Sequence, residues 1–367
     1  MNEKEAIIIN ELNTTGELFG IDKFIFEKII QMSNSSVLIK DIKQVDYINR
    51  NYYGGRGEKI VLKINYSENN KDKETSLFIK KHCQKSPNEA LHYKYLTKFN
   101  APIPKLYAYY SKLSQQDIII TEVIKPFYVD DDPIFMLNKD ILKPFIETTA
   151  LFNMIKISDE YKEIISRDYD IINDKLIPFE NKIHVMFNKI RTDSIYYNLK
   201  NKVSKKMEVE IINILKENIE RIKVMEKGLY HWDHKPRNMG WSEIQQKHVL
   251  FDLEDTLWGP RFYNIGMWLG GDDKFEEKYT SREQLAKIYL DIYNEENKTK
   301  VSVDSLLHEC YPLWIVYKIE TLLIYFYESG ENPYRLRNRE PNEYKKEMED
   351  KFIYILNLLC NLKKEIH

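Results

Sequence analysis

The sequence predicts an α+β protein, with a small β-rich lobe at residues 1–122 and a larger, mainly helical lobe at 123–367. Three observations carry this. Short β-rich runs joined by polar turns fill the first part, and helical spacing dominates the second. One loop-rich insert, Tyr230 to Trp241 and Val249 to Phe262, interrupts the helical part with short β-like pairs. A chain of 367 residues is long enough for two lobes. With 43% hydrophobic and 31% charged residues it is globular.

In the first lobe, Val37 to Ile39 and Val45 to Ile48 read as strands. They precede a cluster of Gly54, Gly55 and Gly57 in a chain with only 12 glycines. Lys59 to Ile64 follows as a strand, then a polar turn from Ser67 to Lys73, then a strand from Thr75 to Lys80. From Ser86-Pro87 the period becomes helical, with Ala90, Tyr93 and Leu96 on one face, until Pro102 and Pro104 end it. Asp117 to Val123 is the last strand of the lobe. Helical spacing then covers Lys139 to Ile155, Lys206 to Lys227, Ser281 to Glu295, Val303 to Glu328 and Asn342 to Lys364.

Several function classes are disfavoured. Lys+Arg 55 against Asp+Glu 57 argues against a nucleic-acid partner. Cys83, Cys310 and Cys360 are far apart, which supports neither a disulfide framework nor a zinc ribbon. The apolar run Ala6 to Ile9 is too short for a signal-peptide core. Lys318 and Glu320 interrupt the most apolar late stretch, so it reads as a buried helix. A cytoplasmic protein without a membrane partner is expected.

The chemistry concentrates in His231-Trp232-Asp233-His234-Lys235-Pro236-Arg237-Asn238. Phosphoryl transfer needs a carboxylate to orient and deprotonate a hydroxyl, and an oxygen ligand nearby for Mg²⁺. Asp233 and Asn238 supply the two from one loop. Val249-Leu250-Phe251 then delivers Asp252, a carboxylate suited to a metal that bridges phosphates.

This loop, its spacing and Asp252 resemble the kinase catalytic loop and metal-binding Asp, most closely those of the aminoglycoside phosphotransferase and choline kinase-like family. The resemblance extends from about Val37 to Ile324 and implies a protein-kinase-like fold, ATP or GTP with Mg²⁺, and a small-molecule hydroxyl acceptor. Leu253-Glu254-Asp255, Gly259-Pro260 and Tyr263 to Gly266 match the family's acidic residue and turn into a helix. Gly54, Gly55 and Gly57 stand where the phosphate-covering loop would be. Lys80 resembles the lysine that neutralises the α- and β-phosphates, and Glu89 its ion-pair partner. Lys81 would point to the other face of the strand, and Lys63 comes one strand too early. Asn100 to Pro104 resembles the family's proline turn, and Glu122 and Val123 the hinge that holds the base.

By the same resemblance Asp233 is the base, Lys235 touches the transferred phosphate, His231 orients the loop, and Asn238 and Asp252 hold Mg²⁺. The sequence departs from the family in three places. Lys235 stands where a His is common, Asn264 stands where an Asp braces the loop, and the glycine motif is not a clean G-x-G-x-x-G. The short stretch from Asp252 to Asn264 leaves no room for a protein kinase's activation segment, and no Ala-Pro-Glu follows. A pseudokinase-type binding or scaffold module would be expected to lack the base or a metal ligand, and both are present. Glu254, Asp255, Asp272 and Asp273, with Glu276 and Glu277, suggest an acidic wall for an amine-bearing acceptor such as an aminoglycoside.

Overall fold

The computed structural model describes residues 17–18, 21–22, 37–47, 57–82, 89–113, 116–127, 139–167, 170–271, 281–298, 300–330 and 340–365. Two compact units emerge: residues 1–132 with 233–256, and residues 133–232 with 257–367. The boundary expected at 122 follows the chain, whereas in space the segment 233–256 groups with the first unit.

The first unit opens with a minimal hairpin, β1 (Glu17–Leu18) and β2 (Ile21–Asp22). A sheet follows from β3 (Val37–Tyr47), β4 (Gly57–Glu68), β5 (Lys71–His82), β6 (Leu106–Leu113) and β7 (Gln116–Glu122). Its order is β3-β4-β5-β7-β6, with every neighbouring pair antiparallel. The β4–β5 turn is Asn69-Asn70, both left-handed at φ 51° and 60°. Asparagine tolerates that conformation, which matches the twist of a tight hairpin. Strand β4 alternates as a half-buried strand must: Ile60, Leu62 and Ile64 are fully buried and the residues between them are not. Between β5 and β6 lies helix α1 (Glu89–Leu96), which packs on β6 and β7.

A second sheet places the polar loop. Strands β8 (Lys125–Pro126), β10 (Met239–Ser242) and β11 (Lys247–Leu250) run in the order β11-β10-β8, all antiparallel. A Cβ on Gly240 would lie 2.3 Å from the Lys125 carbonyl oxygen, so only glycine permits this approach. The Leu250 N–H donates to the Pro102 carbonyl at 2.8 Å, tying β11 to the proline turn after α1.

The second unit is mainly helical: α2 (Lys139–Asn153), α3 (Asp159–Arg167), α4 (Ile177–Thr192), α5 (Lys205–Lys223), α6 (Tyr263–Leu269), α7 (Arg282–Asn297), α8 (Val303–Glu328) and α9 (Pro341–Glu365). Strands β9 (Lys227–His231) and β12 (Thr256–Pro260) form its small sheet. Helix α8 buries residues around much of its circumference because α4, α5, α6, α7 and α9 pack on it. Pro312 inside α8 removes the N–H that would bond the His308 carbonyl. Arg221 of α5 donates to that carbonyl instead, at 3.3 Å. Among the described residues no helix is long and apolar enough to cross a membrane.

The two strands expected at 37–39 and 45–48 are one strand, β3, with register shifts near Asp41 and Gln44. Strand β6 and helices α3 and α4 had no counterpart in the sequence reading. β6 lacks a clean alternation, and α3 is only nine residues long, too short for its apolar spacing to stand out.

Candidate active site

The site is built inside the first unit from β4, β5, α1 and the segment 233–254. Residues opposite each other in antiparallel strands share a face. Gly57 pairs with His82, Lys59 with Lys80, and Val61 with Phe78, so one face of the β4–β5 pair carries all six.

Lys80 is 2% exposed, and burial of a charge requires partners. Its Nζ lies 2.5 Å from Asp252 Oδ1, 2.7 Å from Glu89 Oε2 and 3.2 Å from Glu254 Oε2. Burial alone pulls the Lys80 pKa down, but Asp252, Glu89 and Glu254 together hold it well above the ordinary lysine value. Burial pushes Glu89 up, and the Lys80 charge and the His82 hydrogen bond outweigh that, bringing it to about 2. Burial raises Glu254, with Asp252 and Glu89 adding to the rise against the pull of Lys80.

His82, Glu89 and Glu254 stand close enough together to resemble a metal-ligand set. Two of the three, Glu89 and Glu254, hold the Lys80 ammonium. His82 Nε2 is 2.7 Å from Glu89 Oε2, and the other Glu89 oxygen accepts from the Leu253 N–H at 3.0 Å. Glu89 thus fixes both Lys80 and the turn at Leu253–Asp255, which includes Glu254.

Asp252 precedes that turn with φ 62° and ψ 51°. A left-handed conformation is uncommon for a residue with a Cβ and aims this carboxylate toward Lys80. Lys59 Nζ is 3.9 Å from the same oxygen. One backbone bond, Phe251 N–H to Asn238 carbonyl at 2.8 Å, holds the Asp252 strand against the polar loop. Asn238 Nδ2 donates to the Asp233 carbonyl at 2.8 Å and to Asp233 Oδ2 at 3.1 Å, which leaves the amide oxygen as the Asn238 group suited to a cation. Arg237 Nη2 reaches Asp233 Oδ2 at 3.2 Å, and Lys235 pairs with Oδ1.

Glu122 is buried, and its carboxylate accepts from Lys105 N–H at 2.6 Å, Ser242 Oγ at 2.6 Å and Gln245 Nε2 at 2.6 Å. Its own N–H donates to the Lys105 carbonyl at 3.1 Å. Its side chain therefore fastens β7 to the end of β10, while its main-chain carbonyl accepts from Thr121 Oγ1 at 3.1 Å. Val123 is 37% exposed.

In the second unit, the Asn264 amide bridges both backbone groups of His231. Oδ1 accepts from His231 N–H at 3.0 Å and from Asn153 Nδ2 at 3.1 Å, while Nδ2 donates to the His231 carbonyl at 2.5 Å. An ionised Asp could accept here but not donate. His231 itself is fully buried.

The structure thus brings Lys80, Glu89, Asp252 and Glu254 into direct contact, and Asp233, Lys235 and Asn238 into a second cluster joined to them by the 238–251 backbone bond. Gly57 opens β4. Gly54, Gly55, Asp272 and Asp273, with Glu276 and Glu277, lie outside the described residues. Asp255 sits in the turn after Asp252, and Glu254 faces Lys80. Sequence reasoning missed Lys59, His82 and Arg237. The first two were detectable from their even spacing from Gly57 and Lys80.

The structure is similar to that of a Ralstonia eutropha protein assigned as an aminoglycoside phosphotransferase. That match is 11% identical, covers 92% of this chain and 98% of the other, and has a TM-score of 0.50. Plasmodium vivax ethanolamine kinase is also similar, 13% identical over 85% of this chain and 82% of that one, with a TM-score of 0.49. So is APH(2″)-IIa in its gentamicin complex, 14% identical over 91% and 94%, with a TM-score of 0.48. No protein-family model and no curated protein matches the sequence. The fold is protein-kinase-like, with a β-rich N-terminal region and a mostly helical C-terminal region.

Proposed function

We propose that this chain is a kinase of the aminoglycoside phosphotransferase and choline kinase-like family, transferring the γ-phosphate of ATP or GTP to a hydroxyl of a small molecule. The observation that carries the reading is the buried Lys80, held at once by Glu89 and by a left-handed Asp252 from distant parts of the chain. A buried ion pair of this kind contributes little to stability for its desolvation cost. It is better explained as a cation kept in place for an anionic ligand.

In this mechanism Lys80 binds the α- and β-phosphates, Gly57 at the start of β4 lets the backbone approach them, and Glu89 sets the lysine's position. The Glu122 carbonyl and Val123 meet the base. Asp252 and the Asn238 amide oxygen form a hard, all-oxygen donor set that fits Mg²⁺. When bound, the ion would neutralise phosphate charge. Asp233 accepts the acceptor's proton as its oxygen bonds to the γ-phosphorus and the bond from that phosphorus to the bridging oxygen breaks, leaving the diphosphate. Asn238 and Arg237 orient Asp233, Lys235 reaches the transferred phosphoryl group, and His231 positions the loop through the backbone bonds it makes with Asn264.

An amine-bearing acceptor, such as an aminoglycoside, is proposed on the acidic composition around Asp255, Asp272 and Asp273. Calorimetric titration with Mg-ATP and Mg-GTP tests the nucleotide reading: wild type should bind at least one, and Lys80→Met should lose most of that affinity. Equal binding by Lys80→Met would remove Lys80 from the site.

A further inference from the structure

Along one face of the β4–β5 pair the chemistry changes in a fixed direction. Val61 opposite Phe78 is apolar, Lys59 opposite Lys80 is cationic, and Gly57 opposite His82 follows. A nucleotide has the same polarity, an apolar base at one end and an anionic phosphate chain at the other. We infer that Lys59 is a second polyphosphate-binding lysine, acting beside Lys80 on the β- and γ-phosphates. The inference rests on the nucleotide reading above.

Two like charges directly opposite across a sheet repel. Here Asp252 Oδ1 relieves the repulsion, 2.5 Å from Lys80 Nζ and 3.9 Å from Lys59 Nζ. A phosphate oxygen brings the same charge to the same pair. The two lysines differ in what surrounds them. Lys80 is buried and carries Glu89 and Glu254 on its ammonium, so much of its charge is compensated internally. The Lys59 side chain is 24% exposed and meets Asp252 at the edge of ion-pair distance. It can turn to an incoming anion without breaking a buried pair. It stands two residues after Gly57, on the same face of β4. With one lysine against Glu89, Asp252 and Glu254, the cluster would repel a polyphosphate more strongly than it does with two.

The test is calorimetric binding of ADP, AMP, GDP and GMP with Mg²⁺ to the full chain in wild type, Lys59→Met and Lys59→Arg, with melting curves to confirm folding. Charge-assisted contacts of this kind change affinity by about tenfold or more. Lys59→Met should lose about that factor for the preferred diphosphate and leave its monophosphate nearly unchanged, and Lys59→Arg should restore most of the loss. Equal diphosphate affinity in Lys59→Met and wild type would overturn the role of Lys59 while leaving the nucleotide reading intact. So would an equal loss of both nucleotides. A wild type that binds neither diphosphate would overturn both readings.

Discussion

Glu89 carries its charge inside the protein because Lys80 and His82 reach the same oxygen while Leu253 N–H holds the other. Its pKa falls from 4.5 to about 2, so the unfolded chain takes up the proton first on acidification. The stability it contributes is complete above about pH 4.5 and is lost as pH falls toward about 2. Melting curves from neutrality downward should show wild type more stable than Glu89→Gln, with the gap closing across that window. A gap independent of pH would contradict the pairing. Asn264 supports a second prediction. Asn264→Asp keeps the acceptor for His231 N–H but loses the donor to its carbonyl and buries a charge, so it should cost about 1–3 kcal/mol in denaturant unfolding. A cost of only a few tenths would show that the amide donor is dispensable. The resemblance led to an expectation of a brace at this position. The two-sided contact that makes asparagine the fitting residue depends on where the His231 backbone lies, which a linear sequence does not encode.

At the scale of elements, Gly240 sets how closely β10 approaches β8. Gly240→Val would drive side-chain atoms into the Lys125 carbonyl and Ile124. It should lower stability by about 1–3 kcal/mol and raise KM for nucleotide more than it lowers kcat, because β8 directly follows Glu122 and Val123. An unchanged KM would detach this strand from the base-binding edge. Helices α8, of 26 residues, and α9, of 25, were legible because uninterrupted runs of that length without glycine exceed any strand. Strand β6 was not, since Tyr107, Tyr109 and Tyr110 suit exposed and buried positions alike. Neither was the merging of 37–39 with 45–48 into β3, since bulges leave no fixed pattern in sequence. Arg221 capping the carbonyl freed by Pro312 is a contact between helices, invisible to local periodicity.

Across the molecule, the site was legible where chemistry sits in short spacings and less so where it depends on pairing between strands. Asp233, Asn238 and Asp252 follow one another within 20 residues of sequence. Even spacing puts Lys59 on a face with Gly57 and His82 on a face with Lys80, but that the two faces are one follows only from the strand register. The grouping of 233–256 with the first unit has the same origin, because β10 pairs with β8 across more than a hundred residues. The proposed function requires that this assembly transfer phosphate as well as bind nucleotide. The most direct measurement follows labelled γ-phosphate from ATP and GTP, with Mg²⁺, onto a panel of aminoglycosides, choline, ethanolamine and amino sugars, in wild type and Asp233→Asn. Wild type should give a phosphorylated hydroxyl product with at least one acceptor, and Asp233→Asn should lower its rate by about 10² or more with nucleotide affinity retained. Binding of Mg-nucleotide with no transfer to any acceptor, or transfer at the same rate in both proteins, would contradict it.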